Sequence, residues 1–280
     1  MWYTVGKSWE RHASIPDDQC YLIPASSWVD KERGGLLPLT LSSHMHHRAA
    51  DCGGFVAARL WHGEYRYTLA QYINWLQSGG FEWAAMMDFC CEQDSFGAVE
   101  HRQEQTTANA WRCWADHKNV AWTWVPTIQG RKVADYRRHA QEMKLLIDKM
   151  QCFYAERDGE PSVFRVGIGT LCNRVDITTI RQIVQSVSEE LPFCRFHLWG
   201  VKLKILQSPI ALPKQVLSCD TAAWTGRFGH GINEYKHAAS KGYTQRAYAY
   251  EQVLPRYHKR AMRAANGPKM VSMFEEGEAI

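Results

Sequence analysis

Three carboxylates, one carboxamide and a set of glycines stand at the ends of apolar runs, and these are the residues that could do chemistry. The run Ala50-Asp51-Cys52-Gly53-Gly54-Phe55 places an acid at the end of an apolar stretch, follows it with two residues lacking Cβ, and closes on an aromatic ring. Such a turn lets backbone and acid approach a small planar ligand. Comparable ends recur at Met86-Met87-Asp88, Thr127-Ile128-Gln129-Gly130, Val166-Gly167-Ile168-Gly169, Leu198-Trp199-Gly200-Val201-Lys202 and Leu217-Ser218-Cys219-Asp220. Asp or Gly at one strand end commonly does no more than start a turn, but such a series is a set. Carboxylates can accept from the N1–H and exocyclic amine of guanine, an amide can donate to O6, and the rings of Phe55 and Trp199 suit a flat base. A further carboxylate beside the sugar could attack C1′, the route of retaining glycosidases.

The elements that must position these groups read as strands alternating with helices. Strands are predicted at Trp2–Val5, Cys20–Pro24, Leu36–Ser42 leading toward Asp51, Trp83–Asp88, Val120–Ile128, Val163–Ile168, Arg195–Val201 and Val216–Asp220. Helical patterns cover Thr68–Gln77, Val99–Asp116, Val133–Phe153, Ile177–Glu190 and Ile205–Leu212. Strands joined through helices imply right-handed crossovers and a parallel sheet. At this length the expectation is an α/β fold, a (β/α)8 TIM barrel, whose strand ends converge on one mouth.

Composition bounds the class. With 280 residues, 45% hydrophobic and 22% charged, the chain can bury a sizeable core. No apolar run approaches the roughly 18 residues of a membrane span, so no membrane partner is expected. The first residues lack a basic stretch followed by an apolar one, which places the expected site of action in the cytoplasm, the host's if the chain is phage-encoded. Nine cysteines, an odd number, sit mostly inside apolar runs (Cys52, Cys90, Cys91, Cys172, Cys194, Cys219) and read as buried thiols. No Cys-x2-Cys spacing suggests a metal knot, and His44, His46 and His47 read as a run facing solvent or a polyanion. Net charge is +4, weakly favouring a nucleic-acid partner.

Asp51-Cys52-Gly53-Gly54-Phe55 resembles the Asp-Ser-Gly-Gly-Phe/Tyr signature of the tRNA-guanine transglycosylase family. Met87-Asp88, Gln129-Gly130, Val166 to Gly169, Trp199-Gly200-Val201 and Asp220 match further elements in the same order, over roughly residues 45 to 230. The blocks Gly167 to Arg174, His197 to Lys202 and Cys219 to Trp224 are similar to the phage and bacterial DpdA-like branch, which inserts 7-deazaguanine bases into DNA. The tRNA enzymes carry a Cys-x-Cys-x2-Cys zinc site after the nucleophile, whereas Trp224 to Ile280 contains no cysteine. The expected architecture is therefore a transglycosylase-like barrel over residues 1–230 lacking the zinc-binding subdomain, with a helical extension over 231–280.

The resemblance implies a role for each residue. Asp220 is the expected nucleophile on C1′ and Asp51 the general acid/base, the pair repelling so that Asp51 keeps its proton beside an ionised Asp220. Asp88 reads the N1/N2 edge, Gln129 with Gly130 and the Gly167 to Gly169 backbone the O6 side, and Phe55 and Trp199 stack. Lys202 neutralises a phosphate, with Arg48, Arg131, Lys132, Arg256, Lys259 and Arg260 as further phosphate contacts. The target guanine must be flipped out of the duplex or presented single-stranded. Expected partners are DNA and a 7-deazaguanine such as preQ0, with no metal or cofactor, in a reaction that shields phage or mobile DNA from restriction. Two alternatives stand beside this reading: a tRNA-guanine transglycosylase without its zinc site, and a non-catalytic nucleic-acid-binding barrel. The stretch Tyr243 to Met262 suits a barrel-closing or a DNA-facing helix, and the oligomeric state is open.

Overall fold

The computed structural model describes residues 2–4, 20–41, 43, 45–92, 97–159, 164–221 and 254–266. Its strands are β1 (Trp2–Thr4), β2 (Cys20–Pro24), β3 (His47–Asp51), β4 (Trp83–Ala85), β5 (Thr123–Val125), β6 (Thr127–Ile128), β7 (Phe164–Ile168), β8 (Cys194–Leu198) and β9 (Val216–Thr221). The helices are α1 (Gly54–Leu60), α2 (Leu69–Gln77), α3 (Val99–His117), α4 (Val133–Asp158), α5 (Ile177–Glu190), α6 (Leu203–Leu206) and α7 (Leu254–Asn266). Every pairing among these strands is parallel, in the order β5-β4-β3-β2-β1-β9-β8-β7-β6. The fold is thus α/β on a parallel sheet. The two strands at the ends of that order are neighbours in the chain, separated only by Pro126.

Pro126 splits what the sequence suggests is one strand. Lacking an N–H, it cannot donate to the ladder, yet its carbonyl still accepts from the Gly167 amide at 2.8 Å. β5 therefore pairs with β4 and β6 with β7.

Period-two alternation divides the buried residues between two faces. One face meets the helices: Tyr21, Ile23, Ala50, Trp124, Ile128, Val166, Ile168, Phe196 and Leu198 join the large core. The other carries a smaller cluster of Trp2, Leu22, Ala49, Trp83 and Val125 with Trp199 against it. Two residues beyond Ala49, Asp51 falls on this second face. A register shift between Phe196 and His197 makes β9 spend an extra residue, pairing Phe196 with Val216 but His197 with Ser218. Such a bulge re-aims the side chains that follow it, and here it turns Ser218 and then Asp220 toward His197.

Four expectations are corrected. Of the strand read over Leu36–Ser42, residues 36–41 form a loop with a single antiparallel bridge from Leu36 to Val29: Leu36, Leu39 and Leu41 pack on the core without a ladder, Pro38 having no donor to give, and the strand that reaches Asp51 is β3. Helix α1 begins at Gly54, where the paired glycines read only as a turn. The helix placed at Ile205–Leu212 is the single turn α6. β4 ends at Ala85, so Asp88 lies in the loop beyond it. Thr68 proved to be the N-cap of α2, its hydroxyl accepting from the Gln71 amide at 3.2 Å. Val5, Ser42, His44, Val163, residues 222–253 and residues 267–280 lie outside the described residues, so the 231–280 extension is described only through α7.

Candidate active site

In a parallel sheet all strand C-termini share one edge, and ligands gather there. Asp51 ends β3, Asp88 follows β4, Gln129 follows β6, Gly169 follows β7, Trp199 follows β8, and Asp220 is the penultimate residue of β9. Asp51 feels the other two acids: the charges of both Asp88 and Asp220 act on it. Burial is the larger effect there, and it pushes the Asp51 carboxyl up to about 7 against the hydrogen bond it accepts from the Gly53 amide at 3.0 Å. Near neutral pH this group can give or take a proton.

The two glycines after Asp51 serve different needs. Gly53 has φ of 79°, a left-handed conformation that starts α1 and suits glycine. A Cβ on Gly54 would come within 2.0 Å of Asp88 Oδ1, so only glycine lets that carboxylate sit against the helix start. Asp88 accepts from Cys52 Sγ at 3.2 Å and from Gln129 Nε2 at 2.8 Å. Burial raises its carboxyl, and the hydrogen bonds of Cys52, Gln129 and Thr127 work the other way. Tyr65 fixes the Asp88 backbone from both sides, its hydroxyl donating to the carbonyl at 2.5 Å and accepting from the amide at 3.1 Å. Tyr67 donates to the Cys52 carbonyl.

Gln129 is held at every polar group. Its amide donates to His139 Nδ1 at 2.8 Å, its carbonyl accepts from Gln103 Nε2 at 2.6 Å, and its side-chain Oε1 accepts from the Thr170 hydroxyl at 2.6 Å. Burial lowers His139 to about 4, which keeps Nδ1 available as an acceptor. Asp220 is 7% exposed. Its Oδ1 accepts from the Gly200 amide at 2.7 Å and stands 3.4 Å from His197 Nε2. His197 is wholly buried between Trp83 and Trp199, with ring centroids at 5.1 and 4.4 Å. Burial lowers its pKa despite the Asp220 charge, so the ring is neutral, with Nδ1 2.8 Å from the Ser218 hydroxyl.

Gly167 and Gly169 are corrected as base-reading groups. Their amides donate to the carbonyls of Pro126 and Ile128 and are spent within the sheet. What these glycines supply is room, since a Cβ would meet Trp199 Nε1 at 2.2 Å or Gln129 Nε2 at 2.3 Å. Gly130 likewise makes space for Tyr136, 2.8 Å from where its Cβ would be. Trp199 packs edge-on to Trp83 and His197, and Phe55 rests against the Phe89–Cys90 cluster with the Arg59 guanidinium 5.1 Å over its ring.

The cationic residues separate into two groups. Arg131 and Lys132 are exposed in the turn after β6, and Lys202 is half-buried after β8. Helix α7 buries Leu254, Tyr257 and Ala261 in the core and exposes Arg256, Lys259, Arg260 and Arg263, and it packs against α6, which follows β8 on the same edge. Arg48 is elsewhere: its guanidinium donates to the Gly79 carbonyl at 3.0 Å, in the connection leading into the start of β4.

Among the described residues no three His, Cys, Asp or Glu side chains are grouped to hold a metal, and His47 instead meets Glu82 at 2.7 Å. Cys52, Cys90, Cys91, Cys194 and Cys219 are buried, while Cys172 is half-buried. No described helix is long and apolar enough to cross a membrane. Sequence reasoning missed Tyr65, Tyr67, His139 and Thr170, whose hydrogen bonds bridge distant segments. It also missed His197, which did carry a signal, lying two residues before Trp199 and so on the same face of its strand. Compared with known proteins, residues 6–249 match the family model described as DpdA, DeoxyPurine in DNA protein A. The curated proteins gave no match.

Proposed function

Since the chain belongs to the DpdA family, DeoxyPurine in DNA protein A, whose name implies modification of deoxypurines in DNA, we propose that it is a DNA-guanine transglycosylase exchanging guanine for a 7-deazaguanine such as preQ0. The observation that carries this reading is the gathering of three acids in different surroundings: Asp51 raised to about 7 by burial and by the charges of Asp88 and Asp220, Asp88 tied to a carboxamide, and Asp220 held by the Gly200 amide.

In the proposed first half, the Asp220 carboxylate attacks C1′ of a flipped deoxyguanosine, the C1′–N9 bond breaks, and protonated Asp51 gives its proton to the departing guanine. In the second half, Asp51 as carboxylate takes the N9 proton of the entering base, N9 attacks C1′, and the bond to Asp220 breaks. Two displacements on the same carbon return the original configuration. Asp88 accepts from the N1/N2 edge and Gln129 Nε2 donates to O6, while Phe55 flanks the base and Trp199 backs the pocket. Extrahelical presentation is required, as a stacked guanine cannot reach groups this buried. Arg131, Lys132, Lys202 and the exposed face of α7 are the proposed phosphate contacts.

We also read the sheet as a closed (β/α)8 barrel. In support, β5 and β6 together form a single chain segment pairing with β4 on one side and β7 on the other, which would join the ends of the strand order. The exchange is tested by incubating the protein with DNA, or with tRNA, and a labelled 7-deazaguanine base. Label entering DNA supports the proposal; label entering tRNA alone would overturn it.

A further inference from the structure

Thr170 combines a costly backbone with a buried hydroxyl. Its φ is 55°, a left-handed conformation that crowds a β-branched side chain and that glycine would adopt freely. Strain of this kind collects where the surroundings impose it for function. The residue is 6% exposed. Its carbonyl accepts from Arg174 Nε at 3.2 Å, and the hydroxyl of Tyr136 holds the neighbouring Gly169 carbonyl at 2.9 Å.

The Thr170 hydroxyl has a single hydrogen. Its oxygen accepts from the Cys91 amide at 2.8 Å, and the hydrogen is directed to Gln129 Oε1, 2.6 Å away. A terminal carboxamide rotates easily, and its oxygen and nitrogen are nearly the same size, so shape alone does not decide which end faces Asp88. The Asp88 carboxylate, which can only accept, and the Thr170 hydroxyl, whose hydrogen is aimed at the amide, decide it together. With Oε1 engaged by Thr170, Nε2 is turned to Asp88 and retains a second N–H. The absence of a Cβ on Gly169, which would lie 2.3 Å from Nε2, leaves room for this arrangement.

We infer that Thr170 is a specificity-determining residue, helping to fix Gln129 so that its second N–H is left for the base and the site accepts 6-oxopurines and rejects 6-aminopurines. This rests on the reading of the site as a base-exchange pocket. An amide turned the other way would present oxygen, the partner a 6-amino group requires. The strained conformation is retained because glycine would relieve the backbone but remove the hydroxyl that helps orient the amide.

The test compares guanine with 2,6-diaminopurine, as free bases competing for exchange into DNA, in the wild-type chain and in Thr170→Ser, Thr170→Val and Thr170→Gly. Thr170→Ser keeps the hydroxyl and is expected to hold the wild-type preference for guanine within about threefold. Thr170→Val and Thr170→Gly are each expected to lower that preference by about tenfold. Thr170→Gly also relieves the backbone, so its loss of preference cannot be put down to misfolding, which circular dichroism checks for each variant. If the wild type exchanges guanine and both hydroxyl-free variants keep its preference within twofold, the inference about Thr170 is overturned and the base-exchange reading stands. If the wild type exchanges neither base, both fall.

Discussion

His197 Nε2 stands 3.4 Å from Oδ1 of Asp220, inside a wall made by Trp83 and Trp199 and with Ser218 at its other nitrogen. Because burial keeps the imidazole neutral, a proton at Nε2 lets it donate toward the carboxylate while Nδ1 accepts from Ser218. His197 is therefore expected to position the proposed nucleophile through this 3.4 Å approach. Replacing it by Leu is expected to slow formation of the glycosyl-enzyme about ten- to a hundredfold with base affinity changed little. His197→Gln, which can still offer an N–H, is expected to recover most of the rate. A loss confined to base affinity would contradict this role.

Asp51 gives the site a pH dependence with a definite sign. In the proposed exchange its proton goes to the departing guanine, and burial pushes its carboxyl up to about 7. The single-turnover rate of guanine release is expected to fall as pH rises through about 7, approaching tenfold per unit above it, and Asp51→Asn is expected to be slow with that limb absent. The same shift bears on stability. A folded-state pKa raised from 3.8 to about 7 means that the unfolded chain loses this proton first, so the native state loses stability as pH rises across that window. Asp51→Asn removes the dependence. Its advantage in denaturant unfolding is expected to grow from pH 4 to 7 and level above 8, reaching a few kcal/mol. A constant difference across the range would show that Asp51 is not the group responsible.

Most of the sheet and all three acids were legible because period-two apolar runs end in Asp, Gln or Gly, a pattern set by local chemistry. β2 and α5 fall at their predicted limits. Pairings made across the sheet were not legible. Nothing near Thr170 in the chain signals that its hydroxyl will meet Gln129, 41 residues away, and the bulge that aligns Ser218 with His197 exists only once β8 and β9 are paired. Gly167 and Gly169 read as open amides because their partners, Pro126 and Ile128, lie on another strand.

Gly54→Ala tests the approach of Asp88 to α1. The added Cβ would meet Asp88 Oδ1 at 2.0 Å and its carbonyl at 2.5 Å, with no flexible end to yield. Thermal unfolding is expected to show a loss of about 1–3 kcal/mol, and base binding is expected to drop at least tenfold. Wild-type binding in this variant would show that Asp88 does not need that position.

The cations divide by where they sit. Replacing Arg256, Lys259 and Arg260 together by Ala is expected to weaken DNA binding and to lower the slope of log affinity against log salt by about one for each phosphate these side chains neutralise. Arg48→Ala is expected to leave DNA affinity unchanged while lowering stability by about 1 kcal/mol, the worth of its bond to the Gly79 carbonyl.

The central claim is a covalent bond between Asp220 and C1′ of the target sugar. Mixing the protein with a guanine-containing DNA strand, quenching in denaturant and sequencing the adduct by mass spectrometry tests it directly. A denaturant-stable DNA–protein adduct on Asp220 that is absent from Asp220→Ala is the expected result. Base exchange that persists in Asp220→Ala, or an adduct mapped to another residue, would contradict the account.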